Sequence, residues 1–426
     1  MDNRIIIQNI LEYVDKNLKN EITCKQISNL TGYSSVHINR LFKSYIGVTL
    51  DKYILHRRLL HAVYEISNEA NKLDTAINYG FETYSGFYKA FVREFNQSPT
   101  EFIKLHKTNK PCKINILQKE HIMISKNEIK KLLTNWNLEN EKISNIYSIN
   151  TGKQNDQSYY IGENYIIKFS SDLNNIKNNI IFSNKLLKMG VPTGKIVETN
   201  NKTDYIENNN LYFIIIERIK GTTLKCEDIF KNTDIAYLIG ENIAKLHNAL
   251  KEFNENNYRH ADIYNEVINY ALPEIEDKGI LNKSFIDEYK TNLNNYVRNI
   301  PNQIIHRDIN PSNMLFENNK FKGFIDFELT EVNCRIFDIC YCATSILSES
   351  FKNPNLDKNT WIKIYNNLIS GYERIIKLTY EEKQSLKYIV YSIQIICIEY
   401  FGKFDEYEDL TQINIDMLLY LIKLLN

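Results

Sequence analysis

Two kinds of hydrophobic spacing divide the chain. Over residues 1–107 the apolar positions recur at helical intervals, whereas further on they gather in short runs. The clearest helical series is Phe87, Phe91 and Phe95, one aromatic every four residues, which lines one face of a helix with core side chains. It is preceded by Ala76-Ile77-Asn78-Tyr79-Gly80-Phe81, a short helical stretch ended by a glycine suited to a left-handed turn. A near copy lies upstream, where Ile27-Ser28-Asn29-Leu30-Thr31-Gly32-Tyr33-Ser34 leads into Val36-His37-Ile38-Asn39-Arg40-Leu41-Phe42-Lys43. Gly32 and Gly80 are 48 residues apart and Phe42 and Phe91 are 49 apart, so the repeat carries one inserted residue. Each copy predicts a short helix, a tight turn and a longer helix with small and polar residues at its start. Between the copies, Tyr53, Ile54, Leu60 and Tyr64 fit one connecting helix over Leu50 to Ile66.

The pattern breaks over Lys104 to Ser125, which carries lysines at 104, 107, 110 and 113 and a breaker at Pro111. Beyond it, Ile143 to Ile149 and Ser158 to Phe169 predict strands around a turn at Thr151-Gly152-Lys153-Gln154-Asn155. The uninterrupted run Leu211-Tyr212-Phe213-Ile214-Ile215-Ile216 predicts a buried strand, and Glu217-Arg218-Ile219-Lys220-Gly221 a hinge after it. Long helices follow, among them Ile239 to His247.

The length of 426 residues suggests about two to three domains. Formal charge is balanced overall, but residues 1–107 hold 14 Lys/Arg against 11 Asp/Glu, a surplus of three that the remainder reverses, 38 against 41. Four of the eight histidines, His37, His56, His61 and His106, share that first region. The seven cysteines are scattered, and the closest pair, Cys340-Tyr341-Cys342, has neither metal-knuckle nor redox spacing, which implies reduced thiols. No signal-peptide pattern opens the sequence, and its longest uncharged apolar run, Tyr388 to Ile398, is too short to span a bilayer. A cytoplasmic protein with no membrane partner is the expectation.

Candidate chemistry concentrates in His306-Arg307-Asp308-Ile309-Asn310-Pro311-Ser312-Asn313, followed thirteen residues on by Asp326 in Gly323-Phe324-Ile325-Asp326-Phe327-Glu328. Phosphoryl transfer needs a carboxylate to accept the proton of a hydroxyl, and oxygen ligands that hold magnesium against nucleotide phosphates. Asp308 fits the first role, and Asn313 with Asp326 the second, in the order and spacing that kinase-like sites use.

The first 107 residues resemble the AraC-type DNA-binding domain, two helix-turn-helix units joined by a long helix. The resemblance is carried by both turns and by Gly80-Phe81-x-x-x-Ser85-x-Phe87-x-x-x-Phe91-x-x-x-Phe95-x-x-Ser98-Pro99. Asn96 stands where the family often has glycine, and Ser28 where it often has alanine. The resemblance implies double-stranded DNA as partner. It places Ser34, Ser35, His37, Ile38 and Arg40 of the first unit, and Glu82, Thr83, Ser85, Tyr88 and Lys89 of the second, toward the major groove. Polar side chains there can read bases, while Arg and Lys can equally meet phosphate.

Residues 127–426 resemble the aminoglycoside phosphotransferase and choline kinase superfamily, on Gly152 and Asn155 in place of a glycine-rich loop, "GENIAKLH", and "HRDINPSN … GFIDFE". No glycine follows Phe327 and no Ala-Pro-Glu follows, unlike protein kinases. The implied fold is multidomain: an all-α double helix-turn-helix domain (1–107), a linker (108–126) and an α+β two-lobed kinase-like domain, with a small lobe to about 219 and a large lobe beyond. The implied cofactors are ATP (or GTP) and Mg2+. Gly152, Asn155 and Lys168 would meet the phosphates, and the backbone of Glu217 to Ile219 the base. His306, Asp338 and His247 are expected to be structural. Lys168 is normally fixed by a Glu on the next helix, yet Leu173 to Gly190 holds no Asp or Glu, and Asn178, Asn179 or Ser183 takes the place. Glu399, Asp405, Glu406, Glu408 and Asp409 form an acidic cluster that suits either a cationic alcohol such as an aminosugar or choline, or simple solvation. The expected function is a sequence-specific transcription regulator whose second domain binds nucleotide and a small hydroxyl compound. The alternative is an ATP-dependent small-molecule kinase with an autoregulatory DNA-binding domain. Either reading leaves a homodimer open.

Overall fold

The computed structural model describes all residues except 1, 2, 107, 118–120, 148–153, 299, 405, 406 and 426, together with all but the side chain of Asp156. It divides into two compact units: Met1–Ile176 with Ile196–Arg218, and Lys177–Lys195 with Ile219–Asn426.

The first unit opens with seven helices: α1 (Asn3–Lys16), α2 (Cys24–Thr31), α3 (Ser35–Ile46), α4 (Leu50–Ser67), α5 (Lys72–Asn78), α6 (Tyr84–Phe95) and α7 (Pro99–Leu105). Their starts follow from capping chemistry. Thr23, Ser34, Asn71, Thr83 and Ser98 each place a side-chain oxygen on a free N–H of the first turn. The phenylalanine series forms core, as its spacing predicts: Phe87, Phe91 and Phe95 are almost wholly buried, with neighbouring ring centroids 5.7 and 4.5 Å apart. Burying one such ring contributes about 2–3 kcal/mol. Asn96, the departure from glycine, adopts the left-handed cap of α6 at φ 56°, which Asn tolerates, and its Nδ2 donates to Ile143 O at 2.8 Å.

The segment after α7 does not leave this bundle. Gln8 donates to Ile114 O at 3.2 Å and accepts from Ile116 N at 3.0 Å, and Ile116 is buried within the same core. Arg57 donates to Cys112 O at 2.9 Å, and Met123 N donates to Ile46 O at 2.8 Å. Gly47, at φ 82°, permits that last contact, because a Cβ there would lie 2.1 Å from Met123 O. Helix α8 (Lys126–Leu133) then leads into an antiparallel sheet of β1 (Ile143–Tyr147), β2 (Gln154–Ile161), β3 (Tyr165–Ser170), β4 (Ile196–Val197), β5 (Ile206–Asn208) and β6 (Leu211–Glu217). The spatial order is β1-β2-β3-β6-β4, with β5 also on β6. Phe213, Ile214 and Ile215 of β6 are fully buried, so both faces of that strand are covered, as its unbroken apolar run implied. Between β3 and β4 runs α9 (Leu173–Lys188), which crosses the division between the units.

The second unit is mainly helical. After β7 (Thr222–Thr223) come α10 (Cys226–Lys231), α11 (Asp234–Leu250), α12 (Ile263–Glu266), α13 (Leu272–Asp277) and α14 (Lys283–Asn292). Then follow the strands β8 (Asn302–Ile305), β9 (Met314–Glu317), β10 (Lys320–Phe324) and β11 (Glu331–Cys334). The helices α15 (Ile336–Lys352), α16 (Trp361–Ile375), α17 (Tyr380–Phe401) and α18 (Glu408–Leu425) close the chain. Helices α11 and α16 cross at backbone distance, because Gly240 and Gly371 each leave room for the other helix: a Cβ on either would sit 2.0 Å from a facing carbonyl oxygen. No helix among the described residues is long and apolar enough to cross a membrane.

Candidate functional site

In the second unit the loop 306–313 is held by one carboxylate. Strand β8 pairs antiparallel with β11, which delivers His306 beside the first turn of α15. There Asp338, with no exposed surface, accepts from the backbone N–H groups of His306 and Arg307, both at 2.9 Å. It is also 3.0 Å from Nε2 of His247, whose Nδ1 is 2.9 Å from the Tyr372 hydroxyl. With Nε2 at Asp338 and Nδ1 at the Tyr372 hydroxyl, both ring nitrogens of His247 have a partner in this buried chain. The structural roles expected for Asp338 and His247 are thereby explained. His306 also serves packing: Nε2 lies 3.1 Å from Ile325 O, and its ring is 4.6 Å from that of Phe327.

The loop presents Asp308. Its Oδ1 accepts from Asn310 Nδ2 at 3.0 Å and its Oδ2 from Asn313 Nδ2 at 2.8 Å, while the Tyr341 hydroxyl donates to the same carboxylate. Burial above all lifts the Asp308 carboxyl above its ordinary value; nearby Asp326 adds to the rise, and His306, Tyr341 and Asn310 oppose it. Asn313 gives both its amide donation and its backbone to this cluster, since its carbonyl accepts from Ile325 N at 3.0 Å. That bond ties the loop to the segment that carries Asp326. Asp326 itself stands at φ 67° and Arg307 at φ 74°, left-handed conformations that cost energy in non-glycine residues and cluster where chemistry fixes a side chain. Asn313 Oδ1 and the Asp326 carboxylate are oxygen donors of the kind Mg2+ takes alongside water and phosphate.

Sequence reasoning missed the charged frame around this loop. Arg307 places Nε 2.7 Å from Glu331 Oε1 and stacks its guanidinium 4.1 Å from the centre of the Phe337 ring. Arg259 bonds Glu266, whose carboxyl is lifted above its ordinary value, chiefly by burial. Arg307 and Glu331 lie 24 positions apart, so spacing does not signal their pair, and Arg259 and Glu266, though only seven apart, are brought together by the turn into α12. The acidic cluster near the C-terminus is less assembled than its sequence suggests. Glu399 pairs with Lys403, Glu408 and Asp409 lie in the first turn of α18, and Asp405 and Glu406 lie outside the described residues.

The nucleotide-side candidates belong to the first unit, except Ile219. Lys168 lies on β3, between Ser158 of β2 and Ile214 of β6, and Glu217 ends β6. Asn155, expected in a turn, instead stands second in β2, opposite Ile146, with its Oδ1 accepting from Gln157 N at 2.9 Å. A bulge between Asn145 and Ile146 accommodates the longer strand. Gly152 lies outside the described residues. Helix α9 holds no Asp or Glu, and Ser183 is committed to Gly194 O at 2.7 Å.

On the helical bundle, Glu82, Thr83, Ser85, Tyr88 and Lys89 are exposed at the start and along the outer face of α6. Thr83 also caps that helix. In the first unit of the repeat, Ser34 caps α3, Ser35 and His37 are half-buried, and Arg40 is exposed. Ile38 departs from expectation: at 2% exposure it packs in the core, so it has no side chain to offer DNA. The outward apolar residue is Val36, 81% exposed, beside the stacked rings of Tyr33 and His37. The periodicity from Ile38 to Phe42 and Ile46 carried that distinction, since those three share the buried face.

This geometry defines a phosphotransferase-type loop and a double helix-turn-helix reader in one chain. The chain belongs to the phosphotransferase enzyme family, whose model matches residues 150–367, and a helix-turn-helix domain of AraC type matches residues 27–104. The N-terminal part is 36% identical over 100 residues to the probable transcription factor PqrA of Proteus vulgaris, covering 23% of this chain and 82% of that protein. It is 30% identical over 103 residues to the regulatory protein SoxS of Salmonella typhimurium, covering 24% and 96%. Among solved structures, an amicoumacin kinase in complex with AMP-PNP, Ca2+ and Ami superposes with a TM-score of 0.52 at 13% identity, over 69% of this chain and 92% of that one. A microcompartment-associated aminopropanol kinase gives 0.52 at 13%, over 70% and 95%. At such identities these two structures speak for the fold alone.

Proposed function

We propose that this protein is a sequence-specific transcription regulator whose phosphotransferase domain binds a purine nucleotide with Mg2+ and a small alcohol, and in doing so changes its affinity for DNA. The observation that supports it is the way Cys112, Ile114, Ile116 and Met123 are hydrogen-bonded onto α1, α3 and α4, so that the DNA-binding helices are not hung on a free tether. In this reading Asp308 accepts the alcohol proton, and Asn313 and Asp326 hold the metal. Lys168, Asn155 and Gly152 meet the phosphates, and the backbone of Glu217 and Ile219 the base. Ser34, Ser35, His37, Arg40, Glu82, Thr83, Ser85, Tyr88 and Lys89 face the major groove.

The kinase with an autoregulatory DNA-binding domain is the second reading, and the compact Asp308, Asn310, Asn313 cluster supports turnover in its favour. The deciding experiment is a DNA titration of the full-length protein with and without saturating AMP-PNP, Mg2+ and a small amino alcohol. The regulator reading expects a change of about 5–150-fold in DNA affinity, a coupling of roughly 1–3 kcal/mol. Identical curves with ligands that demonstrably bind leave only the kinase reading.

A further inference from the structure

The first unit holds a cavity of about 190 Å³ that the phosphotransfer chemistry does not use. It opens where three parts of the chain meet: helix α4, residues 108–114 of the connecting segment, and the β1–β2 pair, with His121 on its wall. Tyr53, Leu60, Phe102 and Tyr147 provide apolar and largely aromatic walls. The Phe102 and Tyr147 rings meet edge to face with centroids 5.2 Å apart.

The charged part of the lining is cationic: Arg57 and Lys110 contribute to it, beside neutral polar groups such as Asn109 and Gln154, and no carboxylate lines the cavity among the described residues, although Asp15 stands behind Arg57. Arg57 is decisive. It is only 4% exposed, and Nε and Nη2 are taken by Asp15 at 2.9 and 3.0 Å, with Nη2 also on Cys112 O. Its Nη1 makes no hydrogen bond among the described residues. The guanidinium is therefore fixed through Nε and Nη2, the latter also 3.3 Å from His61 Nε2, and is open only at Nη1. Lys110, exposed, makes no ion pair among the described residues. A free guanidinium nitrogen held in place, with an exposed lysine on the same wall, offers a carboxylate two charge-assisted donors.

Size narrows the ligand further. A cavity of about 150 Å³ accepts one benzene ring, whereas nucleotide and drug-sized ligands need about 300 Å³ or more. We propose that this cavity binds a small aromatic carboxylate, its ring against Tyr53, Leu60, Phe102 and Tyr147 and its anionic group toward Arg57 and Lys110. Such a ligand touches the DNA-binding helices, the connecting segment and the sheet at once. It is thus an effector site for the DNA-binding unit, whose lining touches the residues assigned above to the phosphates only through Gln154, the neighbour of Asn155.

The test is calorimetric titration of the full-length protein with 4-hydroxybenzoate, compared with 4-hydroxybenzamide and 4-hydroxybenzylamine. Saturable binding of the carboxylate is expected, at least tenfold weaker for the amide and absent for the amine. Leu60→Trp, which fills the cavity, removes binding. Lys110→Glu, at an exposed position, weakens it at least tenfold and decides the question should the first variant not fold. Asp326→Asn leaves it unchanged. AMP-PNP titrated into the same proteins reads the nucleotide site separately, so failure of one site is not mistaken for failure of the other. No saturation at millimolar carboxylate, equal affinity for amide or amine, or binding that survives Leu60→Trp in a folded protein overturns the proposal.

Discussion

The catalytic loop and the DNA-facing helices solve opposite problems. In the loop Asn313 is buried and Asp308 and Asn310 are half-buried, and each is bonded to a neighbour: Asn313 to Asp308, Asp308 to Asn310, and the backbone of His306 and Arg307 to Asp338, while Asp326 beyond the loop is exposed. On α6 the candidate contacts Ser85, Tyr88 and Lys89 point away from a core built by three phenylalanines that have no functional part. Function and folding share residues in the first region and are divided between helix faces in the second. Substitutions should therefore move activity and stability together in the loop, and separately on the helices.

The largest effect is expected at Asp308. Asp308→Asn removes the proton acceptor, and turnover of any alcohol substrate should fall by about 10²–10⁴-fold, the usual contribution of a positioned base. Nucleotide affinity measured by calorimetry should stay close to that of the parent, whereas Asp326→Ala should lower both. A variant that loses nucleotide binding with Asp308 would show the loop to be less divided in labour than its hydrogen bonds imply. Next comes Asp338→Ala, which leaves two buried N–H groups and His247 without their acceptor. Thermal or denaturant melts should show a loss of about 3–5 kcal/mol, the cost of stripping a buried charged hub. On the bundle the same magnitude belongs to a non-functional residue: Phe91→Ala should cost about 3–5 kcal/mol of stability.

Smaller effects sharpen the contrast. Lys89→Ala or Arg40→Ala should weaken DNA binding by about 1–3 kcal/mol if a base is contacted, and unequally among sequences. The melting free energy should shift by less than about 0.5 kcal/mol, as at exposed positions generally. Equal loss on all sequences would assign that residue to phosphate instead. The smallest effect is in pH. Burial raises the Asp308 carboxyl, so turnover should fall on acidification with a midpoint above the ordinary 3.8. The stability term has the opposite sense: a carboxyl raised by folding favours the folded chain below 3.8, and that contribution is lost as pH rises through the raised value. A pH–rate profile with its acid limb at an ordinary carboxylate value would contradict the burial argument.

The same contrast explains what is legible in the sequence. Repeats and local periodicity disclose the two helix-turn-helix units, because α2, α3, α5 and α6 are each stabilised by neighbours within a few positions. The loop is legible for a different reason: Asp308, Asn313 and Asp326, the residues proposed to act together, arrive close in sequence. Ile38 misleads because its position within the helix suggests a DNA contact, whereas its spacing to Phe42 and Ile46 puts it on their buried face. Asn155 reads as a turn residue because β2 continues through a register shift, pairing Tyr159 with Asn145 but Asn155 with Ile146, which sequence spacing does not reveal. The ion pairs of Arg307 with Glu331 and of Arg57 with Asp15 join residues 24 and 42 positions apart, and only the folded chain brings them together.

The connecting segment has a practical consequence for anyone who would separate the parts. Ile116 is 4% exposed in the core of the DNA-binding helices, and the amide of Gln8, 7% exposed, finds its partners on Ile114 and Ile116. A fragment cut at residue 107 would lose a piece of its own interior and bare a buried amide to water. A fragment meant to keep this interior intact must therefore extend at least through Met123, well past the last helix of the second helix-turn-helix unit.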